Sequence, residues 1–176
     1  MKYLTKFVLK GLSLLSIVMQ IIFSLAGAGV LFAGIMLFLV SGDAKSELYQ
    51  YVIKPEHLTR GTLLVGCFTA LIIFISLIVV MRALRKVLNN IYQKNYFVAD
   101  NLLNIKVMLA AWGIFTLANV SSLIIFAGGS GRTLSRVFAD SWSQVGIYTI
   151  FLAILYTLYL VFKYGVALQT DSNTVI

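Results

Sequence analysis

Few side chains in this sequence have the types and spacing that catalysis or metal binding requires. His57 is the only histidine and follows Glu56, and Cys67 is the only cysteine. With a single histidine, the spacing of two histidines that is typical of metal sites is absent. A single cysteine can form neither an internal disulfide nor a Cys-x-x-Cys redox pair. We therefore predict no catalytic residue, no metal ligand and no bound cofactor, and we expect the protein not to be an enzyme.

Two amide side chains, Gln20 and Asn119, lie deep within long apolar stretches, where an unpaired polar group is costly. We expect each to hydrogen-bond across helices, which is worth about 0.6 to 2 kcal/mol in membrane bundles. Alternatively, the two amides line a path for a small ligand or an ion.

Small residues four positions apart predict close helix contacts. Four such pairs occur, namely Ser24 with Ala28, Gly29 with Ala33, Gly66 with Ala70, and Ala118 with Ser122.

Four long stretches of the chain contain no charged residue, namely 11–42, 61–81, 107–131 and 141–162. A helix needs roughly 20 residues to cross about 30 Å of hydrocarbon, so each stretch can span a bilayer. Because 60% of the 176 residues are apolar and 11% are charged, a disordered chain is excluded and a soluble domain is not expected. We predict an all-α integral membrane protein, a four-helix transmembrane bundle forming one domain over 1–176, with spans near 12–40, 61–81, 107–127 and 143–162.

A β-barrel and a cleaved signal peptide are the alternatives to this interpretation. Barrel strands alternate apolar and polar residues, whereas the segment 71–75 is apolar on every side. A basic start and Ala26-Gly27-Ala28 are typical of a signal peptide with its cleavage site. The apolar sequence continues through Val40, however, so we expect an uncleaved first span.

The basic residues are divided unequally between the two sides of the predicted bundle. Nine lie on the side of the termini, namely Lys2, Lys6, Lys10, Arg82, Arg85, Lys86, Lys94, Lys106 and Lys163. Five lie on the other side, namely Lys45, Lys54, Arg60, Arg132 and Arg136. Because Lys and Arg near spans favour the cytoplasmic side, we predict a multi-pass protein of the cell membrane with both termini in the cytoplasm. The charge also attracts anionic headgroups. No nucleic-acid-reading motif accompanies it, so we expect no direct binding of nucleic acid.

The connector 82–106 is predicted to be a helical hairpin. After the second span, apolar residues recur on one helical face, namely Leu84, Val87, Leu88 and Ile91, so the helix is expected to continue about two to three turns beyond the membrane. The sequence Gln93-Lys94-Asn95 is predicted to end it, and Asp100 or Asn101 to cap the next helix. The candidate partner-binding residues of this connector are Arg82, Arg85, Lys86 and Phe97.

Two stretches carry a resemblance to a known family. The first is Leu84-Arg85-Lys86-Val87-Leu88 with Ile91, Phe97 and Asn101, and the second is 161–169 with Asp171 and Thr174-Val175. They resemble a bacterial family of four-span membrane proteins that is catalogued as domain of unknown function 2975. Here Lys94-Asn95-Tyr96 stands where the family usually has a Gly-x-Pro turn, and the acidic tail is reduced to Asp171. The resemblance implies a helix-turn-helix regulator as a partner, because such regulators are often encoded beside family members. It implies no activity.

These observations lead to three functional hypotheses. The leading one is a non-enzymatic membrane protein that binds a cytoplasmic regulator and holds it at the membrane. The second is an immunity protein that protects the cell against a toxin or bacteriocin, in the membrane or through the outer segments 43–60 and 127–142. The third is a bundle that binds a small ligand or conducts ions around Gln20 and Asn119. The expected partners are the lipid bilayer, a cytoplasmic regulator and, as a further candidate, a second copy of the chain.

Overall fold

The computed structural model of the chain describes residues 3–39, 60–126 and 142–174. Four helices occupy these ranges: α1 (Tyr3–Leu39), α2 (Arg60–Tyr92), α3 (Ala99–Phe126) and α4 (Trp142–Thr174). No strand occurs within the described ranges, and each helix is long and apolar enough to cross a membrane. The prediction of an all-α fold with four candidate spans is therefore confirmed. His57 and most of the two predicted outer segments lie outside the described residues.

The helices expose large apolar side chains along their middle portions. Phe68 of α2 is 66% exposed, Leu117 of α3 is 67% exposed, and Ile150 of α4 is 64% exposed. In water such surfaces would drive aggregation, whereas in a bilayer they contact lipid tails. The interior of a helix satisfies its own backbone polar groups, so it can present such a surface to hydrocarbon without leaving them unpaired.

Successive helices run antiparallel and pack on one another in a row, α1 on α2, α2 on α3 and α3 on α4. Gly27 faces Phe74 and Gly34 faces Cys67 across the first interface. Ile73 packs with Phe115 and Ala118 across the second. In the third, the indole N–H of Trp112 donates to the backbone carbonyl of Tyr148 at 3.0 Å. The core therefore lies mainly between α2 and α3, with α1 and α4 on the outside.

Of the four small-residue pairs predicted to lie at helix contacts, two are buried, and the two on α1 are exposed. Gly66 and Ala70 are buried, as are Ala118 and Ser122. Ser24, Ala28, Gly29 and Ala33 are all exposed. The faces of α1 that pack on α2 carry Gly27 and Gly34 instead, seven positions apart, which is the repeat expected where two helices cross at a shallow angle.

The helices extend furthest past the predicted spans at one end of the bundle. At this end α1 begins at Tyr3, α2 ends at Tyr92, α3 begins at Ala99 and α4 ends at Thr174. We call this the basic end, because all described basic residues except Arg60 lie in these helix ends or in the turn between α2 and α3. The predicted continuation of α2 by two to three turns past the span is confirmed.

Candidate binding surface at the basic end

The described residues contain no histidine, and Cys67 is the only cysteine among them. No cluster of three or more His, Cys, Asp or Glu that could hold a metal ion exists among them. Cys67 is free and half-buried where α2 meets Gly34 of α1. The polar structure that the fold does build lies at the basic end, in the turn between α2 and α3.

Helix α2 ends in a Schellman motif centred on Lys94. The amide of Asn95 donates to the carbonyl of Asn90 at 2.9 Å, and the amide of Lys94 donates to the carbonyl of Ile91 at 3.0 Å. These two bonds satisfy carbonyls that the helix end would otherwise leave free. The motif requires a left-handed residue, and Lys94 takes that conformation with φ of 66°. The predicted break at Gln93-Lys94-Asn95 is confirmed, with glycine's usual position filled by lysine.

Asn101 holds the turn together from within. Its side chain is fully buried, and its Nδ2 donates to the carbonyls of Asn95 and Tyr96, each at 2.8 Å. Its Oδ1 accepts a bond of 2.8 Å from Nδ2 of Asn90. One side chain of α3 thus binds both the end of α2 and the backbone of the turn.

The predicted cap of α3 is wrong. The helix begins at Ala99, ahead of both Asp100 and Asn101. The backbone amides of Asn101 and Leu102 donate to the carbonyl of Val98, at 3.0 and 3.3 Å. The Asn101 side chain is turned back toward the preceding loop, so it stabilises the turn rather than the helix start. Asp100 lies in the first turn of α3, where a carboxylate interacts favourably with the helix dipole.

Phe97 packs the turn onto α4. Its ring lies over Gly165, at a place where a Cβ atom would overlap the ring carbons. It also contacts the ring of Phe162, with centroids 5.6 Å apart. Only glycine allows this approach, because it has no side chain. The connector and the end of α4, the two stretches that carry the family resemblance, are therefore in direct contact.

Helices α1 and α4 project past the turn on opposite sides of it. The Ser13 hydroxyl of α1 donates to Oδ1 of Asn89 in α2 at 3.0 Å, so residues 3–9 of α1 extend beyond the last residues of α2. Gly165 of α4 lies against Phe97, so the remaining residues to Thr174 extend beyond the turn. At 1.5 Å per residue these extensions are each about 10 to 13 Å long. They flank an exposed turn surface that includes Lys94, Tyr96 and part of Phe97.

The eight described basic residues at this end are all exposed and form two groups. The basic girdle lies next to the spans and comprises Arg82, Arg85, Lys86 and Lys106. The outer lysines lie at the level of the helix ends and the turn and comprise Lys6, Lys10, Lys94 and Lys163. The described part of the chain holds two acidic residues, Asp100 and Asp171, both exposed. The basic end is thus strongly positive.

The structure separates Phe97 from the three basic residues predicted to bind a partner with it. Lys86 and Arg82 precede the end of α2 by six and ten residues, or about 9 and 15 Å along the helix axis. Both are exposed on the side of α2, whereas Phe97 lies in the turn against α4. The turn and the helix extensions therefore lie further from the predicted spans than the girdle does.

Gln20 and Asn119 do not form the predicted hydrogen bonds across helices among the described residues. The Nδ2 of Asn119 instead donates to the carbonyl of Phe115 one turn back, at 2.8 Å. The Oδ1 of Asn119 and the Nε2 of Gln20 are buried without hydrogen-bond partners. Gln20 lies on α1 midway between Ser13 and Gly27, which both contact α2, so it faces α2 near Met81. Asn119 of α3 is adjacent to Ala118, which packs on Ile73. The two amides are thus about 13 Å apart along the bundle and lie at different interfaces.

Sequence reasoning missed two residues that build this surface. Asn101 was expected to act as a helix cap, and nothing in its local sequence shows that its amide reaches back to Asn95 and Tyr96. Gly165 lies in an apolar helix where glycine is common, and its role depends on the distant Phe97. Comparison of the chain with protein-family models, with curated proteins and with solved structures gave no match.

Proposed function

We propose that this chain is a non-enzymatic bacterial membrane protein that binds a water-soluble partner protein at its basic end and holds it at the membrane. The basic end faces the cytoplasm in this proposal, in accord with the excess of Lys and Arg on that side. The family resemblance suggests a helix-turn-helix regulator as the partner. Binding would then control how much of the regulator is free to act.

One observation carries this proposal, namely that the turn at the basic end is both exposed and rigidly held. Asn101 fixes the turn from inside with three hydrogen bonds. Phe97 fixes it from the side by packing on Gly165 and Phe162. A loop that served only to connect two spans would need neither device, whereas a binding surface gains affinity when it is ordered before binding.

The composition of this surface favours a partner that presents acidic and apolar groups. Tyr96 is 42% exposed and Phe97 is 40% exposed, so each leaves an aromatic surface open beside the turn. Lys94 is exposed in the same turn, and Lys163 is exposed on α4, one residue after the Phe162 that Phe97 contacts. Aromatic residues at the centre and charges around them are the usual arrangement of a protein interface. Of the four residues predicted from sequence to bind a partner, Phe97 belongs to this surface, whereas Arg82, Arg85 and Lys86 lie nearer the spans.

Photocrosslinking in cells tests the proposal directly. A photoreactive amino acid at Tyr96 should give a discrete protein adduct with the partner. The same amino acid at Leu117, which is 67% exposed in the middle of α3, should give none, because that position faces lipid. Co-expression of the neighbouring regulator, if one is encoded there, should increase the adduct at Tyr96.

A matched pair of double variants locates the surface. Lys94→Gly with Lys163→Ser removes two charges beside the turn, and we expect it to reduce the adduct at Tyr96. Arg82→Ser with Lys106→Ser removes two charges from the girdle, and we expect the adduct to be retained. If Tyr96 yields only lipid adducts in the unaltered protein, the proposal is wrong.

A further inference from the structure

We propose that the basic girdle, Arg82, Arg85, Lys86 and Lys106, binds the phosphates of anionic phospholipids. The proposal is independent of a protein partner at the turn. It rests on where the four side chains lie along the bundle, on which faces they occupy, and on which anions can reach them.

The girdle lies where the apolar spans end. Ala83 of α2, Met108 of α3 and Leu155 of α4 pack in one buried cluster, so these positions share a level along the bundle. Arg82 is adjacent to Ala83, and Lys106 is two residues from Met108. The charge-free stretches 61–81 and 107–131 both have one end at this level and run from it away from the basic end. Residues at this level therefore meet the boundary between hydrocarbon and headgroups.

Two tyrosines of α4 support the same placement of the boundary. Tyr156 is adjacent to Leu155 and is 52% exposed. It stacks with Tyr159, with ring centroids 6.3 Å apart. Tyrosine is enriched at the level of lipid headgroups, because its ring is apolar and its hydroxyl is polar. Two helices thus present basic side chains and a third presents tyrosines at about one level.

The basic side chains continue exposed apolar faces. Arg82 follows the exposed Phe68 and Ile75 at seven-residue spacing along α2. Arg85 and Lys86 are also exposed and lie about one turn further along the helix. Lys106 lies on the exposed face of α3 with Leu103 and Leu117. Because these faces belong to different helices, one protein partner could not cover them without displacing lipid. Lipid headgroups surround the bundle and can reach every one of them.

Phosphate is the anion available at this level. The two acidic residues of the described chain, Asp100 and Asp171, lie further toward the outside, at the start of α3 and near the end of α4. Guanidinium groups bind phosphate oxygens with two parallel hydrogen bonds, and ammonium groups bind them as point charges. Arg82 and Lys86, spaced by four residues on one helix, can share one headgroup. The ligand is a phospholipid with net negative charge.

Native mass spectrometry of the full-length protein in neutral detergent provides the test. The probes are phosphatidylglycerol and phosphatidylcholine with identical acyl chains, and inorganic phosphate serves as the soluble competitor. We expect phosphatidylglycerol to bind at least about tenfold more tightly than phosphatidylcholine, since each Lys or Arg near the surface contributes to binding of anionic lipid. We expect phosphate at equal concentration to displace none of it.

Two quadruple variants remove equal charge and differ only in position. Replacing Arg82, Arg85, Lys86 and Lys106 with Gln should abolish the preference for phosphatidylglycerol. Replacing Lys6, Lys10, Lys94 and Lys163 with Gln should preserve it. Equal loss in both variants would show a response to net charge alone and would overturn the proposal.

Two further outcomes also decide the matter. Equal binding of the two lipids by the unaltered protein would exclude recognition of the headgroup charge, and displacement by phosphate would identify a free-phosphate site instead of a lipid site. If the girdle variant does not fold, Arg82→Lys with Arg85→Lys should retain the lipid preference, and Arg82→Gln with Arg85→Gln should weaken it. Should these two double variants bind alike, the girdle is not the site.

Discussion

The ring of Phe97 lies over Gly165, so the turn between α2 and α3 is packed onto α4 at a position where a Cβ atom would overlap the ring. This contact fixes the orientation of an exposed turn relative to the extension of α4. It also explains how a short connector between two candidate spans can have a defined shape, since the turn is held from two directions, by Phe97 outside and by Asn101 inside.

Replacing Gly165 tests the packing of the turn. Because a methyl group at this position would overlap the Phe97 ring, we expect Gly165→Ala to lower the free energy of unfolding by about 1 to 3 kcal/mol. Amide hydrogen exchange of residues 93–98 should become faster. Gly146→Ala is the control, because no atom lies within 4 Å of its Cβ position, and it should be neutral or slightly stabilising. The same substitution should be made in a Phe97→Ala background. If Gly165→Ala lowers the free energy of unfolding equally in both backgrounds, the two residues are not coupled.

Removing the Asn101 amide should loosen the turn more severely. Asn101→Ala leaves the carbonyls of Asn95 and Tyr96 and the amide of Asn90 without their partner. We expect the free energy of unfolding to fall by about 2 to 4 kcal/mol, measured by denaturation in detergent micelles. Asn104→Ala is the matched control, because its amide bonds only the carbonyl of Asp100 in its own helix. A similar loss in both variants would contradict the role given to Asn101.

The helices and their approximate ends could be predicted because lipid imposes simple rules on sequence. Charge is excluded from spans, so four charge-free stretches locate α1 to α4, and the apolar face 84–91 shows how far α2 continues. The break at Lys94 follows from the local run of polar residues. These features depend on residues close together in the chain.

The contacts between helices could not be predicted in the same way. In a span that is apolar on all sides, periodicity does not distinguish the face toward lipid from the face toward protein, so Ser24 and Gly29 of α1 were assigned to an interface and lie exposed. The apolar setting of Asn119 predicts a hydrogen bond to another helix, but its Nδ2 donates to a carbonyl one turn back in α3 and its Oδ1 has no partner among the described residues. The contact of Phe97 with Gly165 joins residues far apart in sequence, and neither residue type predicts it.

An engineered disulfide tests how α1 packs on α2. The Cβ position of Gly34 lies 3.6 Å from Cβ of Cys67, within the range of about 3.5 to 4.5 Å found in disulfides. We expect Gly34→Cys to form a bond with Cys67 under mild oxidation, so that fragments produced by proteolysis between α1 and α2 stay linked on a non-reducing gel. Gly29→Cys should not be crosslinked, because nothing lies within 4 Å of its Cβ position. Efficient crosslinking from position 29 would place a different face of α1 against α2.

The left-handed conformation of Lys94 offers a route to higher stability. A residue with a Cβ atom is strained at φ of 66°, whereas glycine is not. We expect Lys94→Gly to raise the free energy of unfolding by about 0.5 to 1 kcal/mol, seen as a higher midpoint of thermal unfolding in micelles. Lys94→Val should lower it, because a β-branched residue tolerates this conformation least. An increase with valine would mean that the Schellman motif is absent.

The distribution of basic residues predicts the orientation of the protein in its membrane, and direct labelling tests that prediction. Nine of the 14 Lys and Arg residues lie on the side of the termini and the α2–α3 turn, so we expect this side to face the cytoplasm. In a Cys67→Ala background, a cysteine at Tyr96 should react with a membrane-impermeant maleimide only after the cell membrane is opened. A cysteine at Ser130, on the opposite side in the predicted topology, should react in intact cells. Labelling of position 96 in intact cells would show that the topology is the opposite of the predicted one. The turn held by Asn101 and Phe97 could then bind no cytoplasmic partner.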